Sequence, residues 1–240
     1  MISKNEIKDI QSLTQKKVRE DLKLFVAEGP KIVAELITIV PGSIVKIYAT
    51  KEWIQSVTNV VNDVTEISQK ELERISHLQT PNQVVAILRQ PDHWEPKTDT
   101  LVLFLDTIQD PGNFGTIIRI ADWFHVLNVV CSSGCADIYN PKVVQSTMGS
   151  IARVNVYYDE EGTWLPKQKV PVYAATLDGK SLFNHARTDK GILVIGNESK
   201  GIRPEIMEYA TEKITIPKKG GAESLNAAVA TGIILSHLLS

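Results

Sequence analysis

Apolar positions along this chain fall into two kinds of run. Over the first ninety residues, short apolar stretches alternate with segments whose apolar residues recur every three or four positions. The pattern predicts helix over 3–20, strand over 24–28, helix over 30–39, strand over 44–49, helix over 52–58, strand over 64–67, helix over 68–75 and strand over 83–88. The junction FVAEGPKIVAELI is representative. A short strand is followed by Gly29-Pro30, which opens a helix carrying Ile32, Val33, Leu36 and Ile37 on one face. A small α/β sandwich is expected.

Beyond residue 97 the apolar runs become denser. LVLFL (101–105), NVVC (128–131), VYAAT (172–176), ILVIG (192–196) and KITI (213–216) alternate with helical patterns near 114–125, 141–149, 204–211 and 224–238. Strands this continuously apolar belong to a sheet covered on both faces, and such sheets are usually parallel. Between the two segments, QPDHWEPK sets Pro91 and Pro96 among polar residues. This marks a linker over 91–97 between a first domain (1–90) and a second (98–240).

Composition narrows the class. The 240 residues are 43% hydrophobic and 22% charged, an ordinary globular balance. The N-terminus has no apolar targeting core, and no stretch reaches the roughly 18 apolar residues of a membrane span. A cytoplasmic location is therefore the expectation. Cys131 and Cys135 sit four apart around Gly134, which suits reduced packing thiols better than a disulfide framework. His77, His93, His125, His185 and His237 are scattered without ligand spacing, so no metal is expected. A net charge of −2 means that local clusters, such as Lys16, Lys17 and Arg19 or Lys218 and Lys219, must meet any nucleic acid.

Ligands bind beyond the carboxyl ends of an open parallel sheet. The loops there are distinctive. After 101–105 comes DTIQDPGNFGT, with Arg119 on the next helix; after 192–196 comes NESKG; after 213–216 comes PKKGGAESLN. No G-x-G-x-x-G follows a strand, and neither Gly196–Gly201 nor Gly179-Lys180-Ser181 completes a phosphate loop. Singly, each polar residue has a structural role open to it. Asn113 can cap a helix starting at Phe114, Ser224 can be an N-cap, Asn226 a first-turn polar residue, Arg119 a solvated cation and Glu198 a loop acid.

Together, the three loops resemble the signature motifs of the SpoU (TrmH-type) RNA ribose 2′-O-methyltransferases of the SPOUT superfamily. The first motif, N-x-G-x-x-x-R, is matched by Asn113, Gly115 and Arg119. The second, an apolar strand closing on G-x-E-x-x-G, is matched by Gly196, Glu198 and Gly201. The third, a strand ending Ile-Pro followed by Ser-Leu-Asn at a helix start, is matched by Ile216, Pro217, Ser224, Leu225 and Asn226. The first segment resembles, more loosely, the L30e-like α/β substrate-binding domain that often precedes this catalytic domain.

The resemblance implies a parallel-sheet α/β fold tied in a deep trefoil knot, and a homodimer with cofactor pockets near the interface. It implies S-adenosylmethionine as methyl donor, held around Thr176, Gly196, Gly201, Ile216 and Leu225. Arg119 is the implied catalytic residue, as base or as orienting cation, with Asn113, Glu198, Ser224 and Asn226 orienting it and the ribose. RNA, ribosomal more than transfer RNA, would be met by Lys16, Lys17, Arg19, Lys142, Lys200 and Lys218, with Arg203 and Lys219 near them. The competing reading is a non-catalytic RNA-binding or assembly protein that keeps the fold. That reading expects the reactive positions to decay, yet all five are present.

Overall fold

Ser3 and Ser68 each open a helix the same way: the serine hydroxyl accepts a backbone N–H three residues on, and Glu6 or Glu71 returns the bond. A computed structural model describes residues 2–57 and 63–240. It divides into two compact units, Met1–Asp92 with Asp137–Ala152, and His93–Ala136 with Arg153–Ser240. The break falls in the proline-bearing segment read as a linker. Asp137–Ala152, however, packs with the first unit although it lies far along the chain.

The first unit contains α1 (Lys4–Ser12), α2 (Lys16–Leu22), β1 (Leu24–Glu28), α3 (Pro30–Ile39), β2 (Ile44–Ala49), α4 (Lys51–Ser56), β3 (Val64–Glu66), α5 (Gln69–Ile75) and β4 (Val84–Arg89). Its sheet runs β1-β4-β2-β3, antiparallel except for the β2–β3 pair. The helix expected over 3–20 is two helices. Leu13 caps the first, Gln15 begins the second, and buried Leu13 joins Ile7, Ile10, Leu72 and Ile75 in the core. The end of the helix expected over 52–58 lies partly outside the described residues.

The second unit is built on a six-stranded sheet ordered β10-β8-β9-β5-β6-β7, parallel at every pair. Its strands are β5 (Leu101–Asp106), β6 (Asn128–Ser132), β7 (Asn155–Asp159), β8 (Val172–Ser181), β9 (Gly191–Gly196) and β10 (Glu212–Thr215). Its helices are α6 (Pro111–Trp123), α8 (Pro204–Met207) and α9 (Ala227–Leu239), whereas α7 (Pro141–Thr147) belongs to the first unit. Strands β5 and β9 are buried almost throughout, as their continuous apolar runs require. β7 escaped the pattern reading because NVYYD mixes polar ends with tyrosines and forms the sheet edge. Cys131 and Cys135 are free thiols, and Cys135 Sγ donates to Leu105 O at 3.3 Å. Among the described residues, no helix is long and apolar enough to cross a membrane.

Candidate active site

Helix α6 starts at Pro111 under a side-chain cap from Asp110, whose Oδ1 accepts the Asn113 N–H at 2.8 Å. Asn113 is therefore not the cap. It stands in the first turn with its amide free to reach elsewhere. Its Nδ2 donates to Glu198 Oε1 at 2.6 Å, and its Oδ1 accepts from Asn226 Nδ2 at 2.8 Å. Asn226 is the N-cap of α9, its Oδ1 accepting from Ala228 and Val229 N–H. Ser224, the other capping candidate, precedes the helix and is exposed. One hydrogen-bonded chain thus joins all three motif loops, with each amide dipole set by its partner.

The loop after β9 is closed on itself. Asn197 and Gly201 exchange backbone hydrogen bonds at 3.0 and 2.9 Å, and Asn197 Oδ1 accepts from Ser199 and Lys200 N–H. Gly201 has φ +69°, the left-handed conformation that favours glycine. Gly196 is required by this closure: a Cβ there would lie 2.4 Å from the Gly201 carbonyl carbon and 2.5 Å from Ile202 N. The close approach at Gly196 is thus made by the chain's own backbone.

Residues that pattern reading missed hold this loop from below. Asp106 ends β5 and is completely buried. Its carboxylate accepts from Ser132 Oγ at 2.9 Å, and from the backbone N and Nε of Arg203, both at 2.8 Å. Thr107 follows with φ 54°, uncommon for a β-branched residue; its N–H donates to Ser132 Oγ and its carbonyl accepts from Asn197 Nδ2. The one signal in the sequence was a carboxylate closing a wholly apolar strand, since a buried charge must be paired.

Arg119 is exposed and makes no hydrogen bond or ion pair among the described residues. Thr176 does not end its strand. Between Ala174 and Lys180, β8 leaves register with β10, and it then pairs again through Ser181. Gly179 lies where the backbones almost touch; a Cβ there would sit 2.6 Å from Ile214 N. Thr176 Oγ1 is buried. The Asp178 carboxyl is held below the usual range, first by the Thr176 hydroxyl and then by Lys213. Ile216 is half-buried and Leu225 exposed.

Two of the expected RNA-contacting cations are engaged inside the protein. Arg19 is 2% exposed; its guanidinium donates to Asp137 and to the carbonyls of Leu13 and Thr14. That corrects its placement among surface cations: the arginine ties the α1–α2 break to Asp137. Arg203 is committed to Asp106 and to Glu205. Lys16, Lys17, Lys142, Lys200, Lys218 and Lys219 are exposed, with Lys16 paired to Glu20 at 3.6 Å.

Known proteins match this chain along nearly its whole length. A model of the SpoU rRNA Methylase family matches residues 100–236, and one of the MRM3-like substrate binding domain matches residues 4–86. A 23S rRNA (guanosine-2′-O)-methyltransferase of Bacillus subtilis is 32% identical, over 98% of this chain and 97% of its own. A TrmH-family protein of Porphyromonas gingivalis superposes with a TM-score of 0.87 at 38% identity, covering 99% of this chain and 98% of the other. An AdoMet-bound rRNA methyltransferase of Sinorhizobium meliloti superposes at 0.84 and 30% identity, covering 99% and 96%. With its three motif loops joined in one hydrogen-bonded chain and both segments matched, the protein belongs to the SpoU rRNA methylase family.

Proposed function

We propose that this chain methylates a ribose 2′-hydroxyl of RNA, with ribosomal RNA as substrate and S-adenosylmethionine as methyl donor. The observation that carries the reading is the Asn226–Asn113–Glu198 chain, which links three loops while Arg119, on the same helix as Asn113, stays unpaired and exposed among the described residues. The substrate class and the donor are supported by the relatives, one acting on 23S rRNA and one carrying AdoMet.

The residues present fit the donor. Thr176 offers a buried hydroxyl in the stretch where β8 leaves register with β10, and Gly196, Gly201, Ile216 and Leu225 are the positions read as presenting backbone to the donor. When bound, S-adenosylmethionine supplies a methyl group already activated on a sulfonium, so the protein's work is alignment. Arg119 serves as a guanidinium cation that meets the RNA phosphate and stabilises charge developing on the 2′-oxygen. Asn113 and Glu198 hold the loops from which that contact is made. Asn226 lines a shallow cavity with Asn113, and exposed Ser224 precedes it in the same loop. Lys200 and Lys218 add phosphate contacts, and Lys16, Lys17 and Lys142 add them from the first unit, so binding weakens with salt.

The same reading makes the protein a homodimer. Helix α9 is apolar on nearly every side, yet Val229 is half exposed, and Gly232 and Ile233 line a shallow cavity with Thr116 and Ile120 of α6. A second copy covers that face. The same reading puts the protein in the cytoplasm, and the free thiols of Cys131 and Cys135 support it.

The test is transfer of radiolabelled methyl from S-adenosylmethionine to total RNA, followed by digestion to locate the label. Ribose label that falls by about 10²–10³-fold in Arg119→Ala supports the reading. Base label, or no label from a protein that binds the donor, overturns it.

A further inference from the structure

A buried acid at the end of a central strand is costly unless its partners are arranged around it, and Asp106 has three. Two come from one residue, Arg203, which closes the far side of the 196–203 segment. The third is Ser132 Oγ, which also accepts the Thr107 N–H. Thr107 is thereby held with φ at 54°, against the preference of a β-branched side chain, and in that pose its carbonyl accepts from Asn197 Nδ2 at 2.9 Å. Asn197 also caps its own loop through Ser199 and Lys200.

The loop that carries Glu198 is therefore pinned twice to the end of β5, once before Glu198 by Asn197 and once after it by Arg203. Helix α6, which carries Asn113, leaves that same strand a few residues later. Both ends of the 2.6 Å Asn113–Glu198 bond thus start from one fixed point.

We propose that Asp106, Asn197 and Arg203 are positioning residues for methyl transfer. They act by fixing the 196–203 loop on β5, so that Glu198 reaches Asn113 and the Gly196–Gly201 backbone keeps its shape toward the methyl donor. The inference rests on the donor-binding reading above. It assigns no contact with substrate to any of the three.

The experiment compares wild type with Arg203→Ala, Arg203→Lys, Asn197→Ala and the double variant Asp106→Asn/Arg203→Ala. Calorimetry with S-adenosylmethionine gives affinity, ribose methylation gives kcat and KM for the donor, and thermal unfolding gives stability. Arg203→Ala removes the guanidinium and leaves the buried carboxylate with only the Ser132 hydroxyl and the backbone N–H of residue 203, so it lowers both melting temperature and donor affinity. The affinity loss is about tenfold, as for a lost charge-assisted hydrogen bond. Arg203→Lys recovers part of both, and Asn197→Ala raises KM more than it lowers the melting temperature. The double variant removes the buried charge and recovers stability while donor affinity stays low, because the guanidinium clasp of the loop is still missing. Affinity that returns with stability in the double variant overturns the proposal, as do single variants that fold and bind within twofold of wild type. Failure of the wild type itself to bind the donor overturns the functional reading instead.

Discussion

The Asn113 side chain donates to Glu198 Oε1 at 2.6 Å while accepting from Asn226 Nδ2 at 2.8 Å, so one amide in the first turn of α6 bridges two other loops. Because Asp110 and not Asn113 caps this helix, the amide can be removed without unwinding it. Asn113→Ala is expected to lower kcat for ribose methylation by about tenfold or more while moving the melting temperature little. Paired assays of methyl transfer and thermal unfolding check this. A large fall in melting temperature would mean that the bridge serves folding.

Gly196→Ala adds a methyl group where the nearest atoms are backbone and cannot swing aside. The loop must shift, at a cost of about 1–3 kcal/mol of stability. Gly220→Ala is the control, since a Cβ there meets nothing within 4 Å. Chemical denaturation should separate the two, with Gly196→Ala also losing affinity for S-adenosylmethionine. Equal behaviour of the two variants would refute the account of Gly196.

Arg19 looks like part of a basic surface cluster in the sequence, yet its guanidinium is buried against Asp137. Arg19→Ala strands the Asp137 partner and leaves the Leu13 and Thr14 carbonyls without their donor, and it is expected to cost about 3–5 kcal/mol. Lys17→Ala, at an exposed neighbour, should stay within about 0.5 kcal/mol. Urea titrations of both variants decide the matter. RNA affinity that drops in Arg19→Ala at unchanged stability would restore its role as a contact residue.

Glu6 is held down to about 2, first by the Ser3 hydroxyl and backbone N–H of the capping box and then by the Tyr48 hydroxyl. A carboxyl depressed in the folded state stabilises fully above its unfolded value of 4.5, and that contribution disappears as pH falls through about 2. Glu6→Gln should therefore flatten the acid limb of stability over that window and leave the limb above pH 5 parallel to wild type. Thermal unfolding measured across pH reads this directly. Because Glu6 is only partly buried, solvent screens the effect, which is small.

Periodicity was enough to locate most elements of both units, because burial on one face writes period 3.6 into helices and burial on both faces writes continuous apolar runs into parallel strands. It failed where burial and composition part company. The turn at Leu13 breaks an unbroken helical pattern, and β7 hides in NVYYD at an edge. Asn113, Glu198 and Asn226 were legible in the chain as polar residues in the loops beyond the strand ends, and the structure joins them. Their connections were not. Strand order, the capping of α6 by Asp110, the burial of Arg19 and the clasp of Asp106 by Arg203 join positions 3 to 118 residues apart. A hydrogen bond depends on where two backbones meet in space, and local pattern holds no record of that meeting.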